Sequence, residues 1–349
     1  MWVPGGRDAS RREFLTTTGK LVAGAGLAAT LPNVRLLAEA ESPAAQSTPE
    51  SLTKVLYETL SPKQREAICF AWDHEDGRGL LRTHVAANWD ITDPYVASDF
   101  YTADQREIIR HILEGIIQPE WHERIYKQLK DDSGGFGKQN SIAIFGEPGS
   151  GQCELVLTGR HMTLRADGNS TPHVAFGGPI FYGHAAQGFN EKADHPGNVF
   201  WPQAQAANKL YQMLDGEQQD AALVRKPHMP GEDDVYFEGS EGKANGEFQG
   251  IPIAQLAGDQ QEHMQKVLKK LIEPYRTGDQ QEVLACLDAH GGLEACHLAF
   301  YREGDIGRDQ VWDNWRLEGP AFVWHFRGAP HVHCWVHVAD SPEVELNAG

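Results

Sequence analysis

Histidines near the C-terminal end of the chain alternate with apolar residues and are the strongest candidates for chemistry. His331, His333 and His337 lie in the run HVHCWVHV at positions 331–338. In a β-strand, side chains at i and i+2 point to the same face, with Cα atoms about 7 Å apart. Two imidazoles so placed can bind one metal ion. Such a pair can equally be a hydrogen-bonded, half-buried polar pair, and this alternative stays open.

A metal site needs further ligands, and His161 is the best candidate for the third. It lies in the segment GRHMTL at 159–164, which has the pattern of a strand. We predict that His161, His331 and His333 bind one divalent metal ion and leave one position open for water or substrate. Imidazole ligands suit zinc, copper or iron, and the residue types do not choose among these metals.

Other polar residues are candidates for direct roles in a reaction. Arg160 would bind an anionic substrate. His184 follows the run FYG, on a loop directly after a strand, and would be a proton shuttle or a fourth ligand; His337 is the alternative for that role. His325 ranks lower, because a four-residue turn at 327–330 would point its side chain away from the histidine pair.

Helical and strand periods follow one another along the chain and must position these residues. Apolar spacing of three and four residues predicts helices at 52–70, 102–117, 119–130, 202–214, 217–224, 259–273 and 279–289. Alternating runs predict strands at 141–146, 153–158, 160–165, 172–177, 295–301, 319–326 and 331–338. The predicted class is α+β, with an antiparallel sheet and flanking helices in a single large domain, 51–349. A long excursion loop is predicted at 228–250.

The N-terminal segment has the layout of an export signal. The twin-arginine phrase SRREFL at 10–15 is followed by a Gly/Ala-rich apolar run at 21–29. That run is about half of the roughly 20 residues that cross a bilayer. The small-residue pattern AEA follows at 38–40. We therefore predict a signal peptide at 1–40 and a linker at 41–50. The twin-arginine export machinery would deliver the folded protein to the periplasm or the medium; the alternative is an uncleaved tether.

Charge and cysteine content exclude several classes of function. The formal net charge of -18 argues against a nucleic-acid partner, which needs a basic surface. No second apolar segment reaches membrane length, so no membrane contact is predicted after cleavage. The five cysteines are too few for a disulfide framework. Cys286 and Cys296 would form one bridge or stay as buried thiols.

Several phrases resemble the family of domain of unknown function 3500. They are LSPKQR at 60–65, IFGEPG at 144–149, GRHMTL at 159–164, EGPAF at 318–322 and HVHCW at 331–335. The family pattern has Gly-His-His at 159–161, a carboxylate at 325 and Trp-Arg-Asp at 335–337, where this chain differs. The resemblance implies that His161, His331 and His333 are the matching set, and it implies no activity.

These residues predict an exported metal-dependent enzyme, a hydrolase or an oxidoreductase, that acts on a small-molecule substrate. The alternative is a non-catalytic extracytoplasmic protein that binds a metal with four ligands or holds a small ligand. In that case Trp312, Trp315, Trp324 and Trp335 would line a pocket. A third possibility is that the histidines are structural, which predicts no bound metal.

Overall fold

A computed structural model describes residues 48–168, 170–185, 192, 194–224, 248–307 and 311–344. They belong to one unit that spans 43–349. The predicted signal peptide and most of the predicted linker and excursion loop lie outside the described residues. Within the described ranges, no helix has both the length and the apolar character needed to cross a membrane.

One large sheet forms the centre of this unit. In chain order its strands, with the small β2–β3 hairpin, are β1 (Cys69–Phe70), β2 (Glu75–Asp76), β3 (Gly79–Leu80), β4 (Asn140–Gly146), β5 (Cys153–Gly159), β6 (Met162–Ala166), β7 (Ile180–His184), β8 (Leu223–Val224), β9 (Ile251–Pro252), β10 (His297–Tyr301), β11 (Asn314–Gly319), β12 (Phe322–Arg327) and β13 (Val332–Val338). The order across the sheet is β1-β4-β5-β6-β7-β13-β12-β11-β10-β8, and β9 also pairs with β10.

The sheet is mixed, so the prediction of a purely antiparallel sheet is wrong, although most pairs are antiparallel. β1 runs parallel to β4, and β8 runs parallel to β10. Both are two-residue strands that begin where a helix ends. They reach the sheet from a helix and not through a hairpin, and only a hairpin forces the antiparallel direction.

The described helices follow the predicted periods closely. They are α1 (Pro49–Thr59), α2 (Pro62–Ile68), α3 (Ala103–Ile116), α4 (His122–Ser133), α5 (Trp201–Met213), α6 (Gly216–Ala222), α7 (Gly258–Ile272) and α8 (Thr277–Ala289). The helix predicted at 52–70 is two helices. Ser61 caps the second one by accepting a hydrogen bond from the Gln64 N–H, and Pro62 has no N–H with which to continue the first.

Two predicted strands have different bounds. The segment 172–177 ends in a 3-10 turn, and the strand follows it at Ile180–His184, so His184 is the last residue of β7. The strand predicted at 319–326 is the end of β11 and most of β12, joined by a turn. The glycines explain the first shift, because Gly177 and Gly178 take φ values of 81° and 155° that stop a strand.

The two faces of the sheet differ in chemistry, and we call them the apolar face and the polar face. Residues paired across neighbouring strands point to the same face. One such row on the apolar face runs Leu157, Leu164, then Met162, Tyr182, Cys334, Phe326, Trp315 and Phe300. The matching row on the polar face runs Ser141, Thr158, Thr163, Phe181, Trp335, His325 and Arg316. The helices pack their apolar residues on the apolar face in one continuous core.

An irregular segment, 81–92, crosses the polar face and satisfies its hydroxyl groups. Thr163 Oγ1 donates to the Ala86 carbonyl at 3.0 Å, and the Ile91 N–H donates to Thr158 Oγ1 at 3.0 Å. A buried guanidinium fixes the start of the segment, since Arg165 donates to the His84 carbonyl at 2.9 Å and to the Glu154 carboxylate at 2.9 Å. These bonds pair the hydroxyl and carboxylate groups that the polar face buries beneath this segment.

Candidate metal centre

The topology brings the ends of three elements to one end of the sheet. The prediction that His161 lies on a strand was wrong, because it lies in the two-residue turn between β5 and β6, bracketed by the pair Gly159 and Met162. β6 is antiparallel to β7, and β7 is antiparallel to β13. The start of β6, the end of β7 and the start of β13 therefore lie side by side, and His331, just before β13, and His333, within it, lie there.

The three predicted imidazoles meet there, and we call His161, His331 and His333 the histidine triad. One ligand atom from each ring lies within 4.8 Å of the other two. The ring centroids are 4.7 to 4.9 Å apart. All three residues are buried, with exposed fractions of 3 to 4%.

The spacing of the rings suits a small metal ion. His331 Nε2 and His333 Nε2 are 2.9 Å apart. Two nitrogens bound to one tetrahedral zinc ion at roughly 2.0–2.1 Å lie about 3.3 Å from each other. The two rings would have to open by only a few tenths of an ångström. Burial, followed by the nearby Arg327 guanidinium, holds the pKa of His333 well below its ordinary value, so this ring is neutral, as a ligand must be.

A buried carboxylate behind His161 sets the orientation of this ring. Asp132 Oδ2 lies 2.8 Å from His161 Nδ1, and the side chain of Asp132 is fully buried. The carboxylate accepts the Nδ1 proton and leaves the Nε2 lone pair for a metal, which is the usual arrangement of a carboxylate, a histidine and a metal ion. Asp132 also accepts from the Ala185 N–H at 3.0 Å and from Gln128 Nε2 at 2.9 Å.

The backbone of His161 is fixed as firmly as its ring. Its φ of 58° lies in the left-handed region, which non-glycine residues seldom adopt. Its N–H donates to the Ala87 carbonyl of the crossing segment at 2.8 Å. The turn therefore presents the imidazole in a conformation that its neighbours determine, as is common at functional sites.

Sequence reasoning missed Asp132, although one signal pointed to it. Asp131 and Asp132 occupy the last turn of α4. Carboxylates there oppose the helix dipole, so acidic residues are unfavourable unless tertiary partners compensate them. The partners are histidines, because Asp131 Oδ2 lies 3.3 Å from His184 Nε2 while Asp132 binds His161.

His184 lies beside the triad but on the apolar face. Its partner in the β7–β13 register is Val332, which lies between His331 and His333 in the chain. Its Nδ1 accepts from the Val199 N–H at 2.9 Å and its Nε2 faces Asp131. Burial lowers the pKa of His184. Both ring nitrogens are therefore engaged in bonds that tie β7 to α4 and to the start of α5.

Two guanidinium groups lie near the triad, those of Arg160, a predicted site residue, and Arg327. Arg160 shares the turn with His161 and forms an isolated backbone bridge with Asn88. Arg327 was not predicted as a site residue. It pairs with His333 across β12 and β13, and its Nη2 donates to His333 Nδ1. Its guanidinium also lies 5.3 Å from the centre of the Trp335 ring. Both arginines lower the pKa of His333, which places positive charge around this ring.

The predicted turn between β12 and β13 was wrong, and this changes the position of His325. Arg327 pairs with His333, so five residues, 328–332, separate the paired positions instead of four. The shift by one residue turns His325 to the polar face, where it pairs with Trp335. Its Nδ1 accepts from Arg316 Nη2 at 2.6 Å.

His337 is too far along β13 to share an ion with the triad. It lies four positions beyond His333 along the strand, which is about 13 Å between Cα atoms. It pairs with Val323 on the polar face and is buried, and burial lowers its pKa to about 3. Within the described ranges, the triad is the one group of three or more histidine, cysteine or acidic residues with the spacing of a metal site.

Together these features define an α+β protein in which a mixed sheet carries a buried three-histidine group at one end. Residues 44–339 match the model of a family described as "Protein of unknown function (DUF3500)", and the chain belongs to this family. The resemblance inferred from short phrases is thereby confirmed. No curated protein and no solved structure matches the chain.

Proposed function

We propose that the histidine triad binds one divalent transition-metal ion and that the protein is a metal-dependent enzyme, a hydrolase or an oxidoreductase. The observation that carries the proposal is the carboxylate-backed ring: His161 points its Nε2 away from Asp132 and toward two further imidazoles less than 5 Å away. A polar pair of His331 and His333 needs no such third ring. The set fits zinc, copper or iron.

The ligand count favours catalysis over storage or structure. Structural zinc sites have four protein ligands, and catalytic sites commonly have three with one open position. Among the described residues no fourth histidine, cysteine or carboxylate joins the group. When bound, the ion would supply Lewis acidity or redox chemistry at that open position.

The surrounding residues of this chain would prepare the site. Asp132 holds the tautomer of His161 by accepting its Nδ1 proton. Phe181 packs edge-on against His333 with ring centroids 5.1 Å apart, and Trp335 lies 5.6 Å from the same ring. Such aromatic walls exclude bulk water and strengthen electrostatic interactions. Arg160 would orient an anionic substrate from the adjacent turn.

The alternative of a ligand-binding module with a tryptophan-lined pocket has less support. Trp315 and Trp324 are completely buried and belong to the apolar face, whereas Trp335 lies on the polar face. Indoles on opposite faces of one sheet cannot line the same pocket. The two cysteines that would have formed a bridge, Cys286 and Cys296, are buried free thiols.

Export by the twin-arginine route to the periplasm or the medium stays a prediction that suits this proposal. That route carries folded proteins, and many of its cargoes acquire a metal or cofactor before export. A site whose ligands come from a turn and a distant strand exists only after folding, so loading before export is the simple order of events.

Metal analysis of protein purified from its native compartment tests the proposal. We expect about one equivalent of zinc, copper or iron in the wild type and loss of most of it in His331→Ala and His333→Ala, since three-ligand sites lose affinity steeply with each ligand. His173→Ala is a matched control, because His173 is well exposed and pairs with Asp340, away from the triad. Unchanged metal content in both triad variants would exclude the proposed site.

A further inference from the structure

Arg327 fixes the proton of His333 on one ring nitrogen. A guanidinium can only donate hydrogen bonds, so His333 Nδ1 must accept the bond from Arg327 Nη2. A neutral imidazole has one proton, which must then be on Nε2. That proton points at His331 Nε2, 2.9 Å away, and makes the hydrogen bond seen between the two rings.

This arrangement conflicts with metal binding at the same nitrogen. A metal ion needs the Nε2 lone pair, so the proton of His333 must move to Nδ1 in the metal-bound state. Nδ1–H then faces Arg327, and two donors point at each other. Behind His161 the matching position is taken by an acceptor, the Asp132 carboxylate. At the same position behind His333 lies the Arg327 guanidinium, which is a cation and can only donate hydrogen bonds.

We propose that an oxyanion, a carboxylate or phosphate group of the substrate, binds between Arg327 and the Nδ1–H of His333 when the metal is bound. This inference rests on the proposed metal site and assigns the substrate class. The anion would accept hydrogen bonds from Arg327 and from the Nδ1–H of His333. It would thus orient the His333 ring as the Asp132 carboxylate orients the His161 ring. The proton moves from Nε2 to Nδ1 of one ring, so no proton is released or taken up by this step.

The position of Arg327 suits both states. Its partner across β12 and β13 is His333 itself, so the two side chains start from neighbouring sites on the same face. The guanidinium also lies over the Trp335 ring at 5.3 Å, a contact that does not depend on His333. The arginine can therefore release Nδ1 and stay within reach, with its planar fork available for a bidentate anion.

Coupling between the metal and the anion follows from this geometry. Without an anion, a metal ion must break the Arg327–His333 bond and leave two donors opposed. With an anion, both donors are satisfied. Metal and oxyanion should therefore tighten each other's binding, and linkage requires that the two effects be equal.

The sheet provides a matched control one strand further along the polar face. Arg316 Nη2 bonds His325 Nδ1 at 2.6 Å in the same donor-to-ring arrangement. His325 is not part of the triad. Arg316→Gln therefore removes an equivalent buried bond, together with the Arg316–Glu318 ion pair at 3.4 Å, without touching the proposed anion site.

The first test uses metal-free protein with ¹⁵N-labelled histidine and reads the tautomer of His333 by long-range ¹H–¹⁵N NMR. We expect the Nε2–H form in the wild type and a shift toward Nδ1–H in Arg327→Gln. A wild-type His333 in the Nδ1–H form would overturn the inference whether or not the protein binds metal. The wild-type spectrum decides this point even if a variant folds poorly.

The second test measures zinc affinity by competition with a chelator in chloride, acetate or inorganic phosphate at equal ionic strength. We expect the Kd of the wild type to fall roughly tenfold in one of the oxyanions, within the usual range of coupling between sites. Acetate and phosphate distinguish the two anion classes. Arg327→Gln should lose the anion effect, Arg327→Lys should keep part of it, and Arg316→Gln should keep all of it.

The outcomes separate the two proposals. Zinc binding that is lost in His331→Ala but insensitive to both anions in the wild type would refute this inference and leave the metal site standing. An anion effect that persists in Arg327→Gln would also refute it. Failure of the wild type to bind zinc, copper or iron would refute the metal site and the anion site together.

Discussion

Replacing Asp132 by asparagine should weaken metal binding at the triad without dismantling the fold. The amide is almost isosteric, and its oxygen can still accept from the Ala185 N–H, which Asp132 Oδ1 binds at 3.0 Å. Its NH₂ group would then face His161 Nδ1, where the carboxylate oxygen now lies at 2.8 Å. A donor at that place turns Nδ1 into an acceptor and moves the proton of His161 to Nε2, the atom that should bind the metal.

The magnitude follows from the role of such carboxylates. Loss of a partner behind a metal-binding histidine typically costs 10- to 100-fold in affinity, or about 1.4–2.7 kcal/mol at 1.36 kcal/mol for each factor of ten. The same change removes hydrogen bonds to a fully buried charged side chain. We therefore expect some loss of stability, on the order of 1.5–3 kcal/mol, which denaturant unfolding of the metal-free protein measures separately.

Asp131→Asn is the matched control for this experiment. Asp131 is the preceding residue of α4, and it binds His184 at 3.3 Å and Lys127 instead of a triad ring. Chelator competition and isothermal titration should give a wild-type zinc Kd for Asp131→Asn and a Kd at least tenfold weaker for Asp132→Asn. A folded Asp132→Asn protein with wild-type affinity would refute the argument that the carboxylate sets the tautomer of His161.

Three further changes test other parts of the structure. The pKa of His337 is about 3 in the fold, against roughly 6.5 when unfolded. Because the unfolded chain takes up this proton first, the free energy of unfolding is highest above pH 6.5 and falls as the pH drops toward 3, by at most roughly 4–5 kcal/mol. Urea unfolding at pH 7 and pH 4.5 should show this loss, and His337→Phe should reduce the difference; an identical pH dependence in the variant would contradict the assignment. Glu154→Gln removes the buried carboxylate that Arg165 binds at 2.9 Å and should lower the free energy of unfolding in urea by about 3–5 kcal/mol. A loss below 1 kcal/mol would show that the pair is not desolvated. Gly183→Ala would place a Cβ inside the contact distance of the Val332 carbonyl, so both the melting temperature and zinc affinity should fall, and unchanged values would mean that β7 and β13 pair more loosely than described.

Local signals in the sequence predicted most of the helices and several strands because those signals act over short distances. The capping box of Ser61 and Gln64 and that of Thr102 and Gln105 start helices where the residue types require it. The alternation of the final run predicted β13 to within one residue. β11 was missed at its start, although Trp315 and Leu317 alternate with polar residues there, because buried arginine and glutamate disguise the pattern.

The parts that failed depend on contacts between distant segments. Whether the turn between β12 and β13 contains four or five residues determines the face on which His325 lies, and no local pattern encodes that count. The parallel edge strands depend on where two helices end against the sheet. The role of Asp132 depends on a helix whose last turn reaches a hairpin 29 residues further along the chain.

By itself, the sequence determined which residue types were available for chemistry: a histidine pair on alternate positions at the start of a strand, and a third histidine after Arg160, which it assigned to a strand although it lies in the β5–β6 turn. Only the tertiary structure decided that these rings converge, that a carboxylate orients one of them and that Arg327 faces another. The physical reason is range. Backbone propensity and side-chain period act between neighbours in the chain, whereas a metal site is made from ligand directions that the pairing of β6, β7 and β13 sets together.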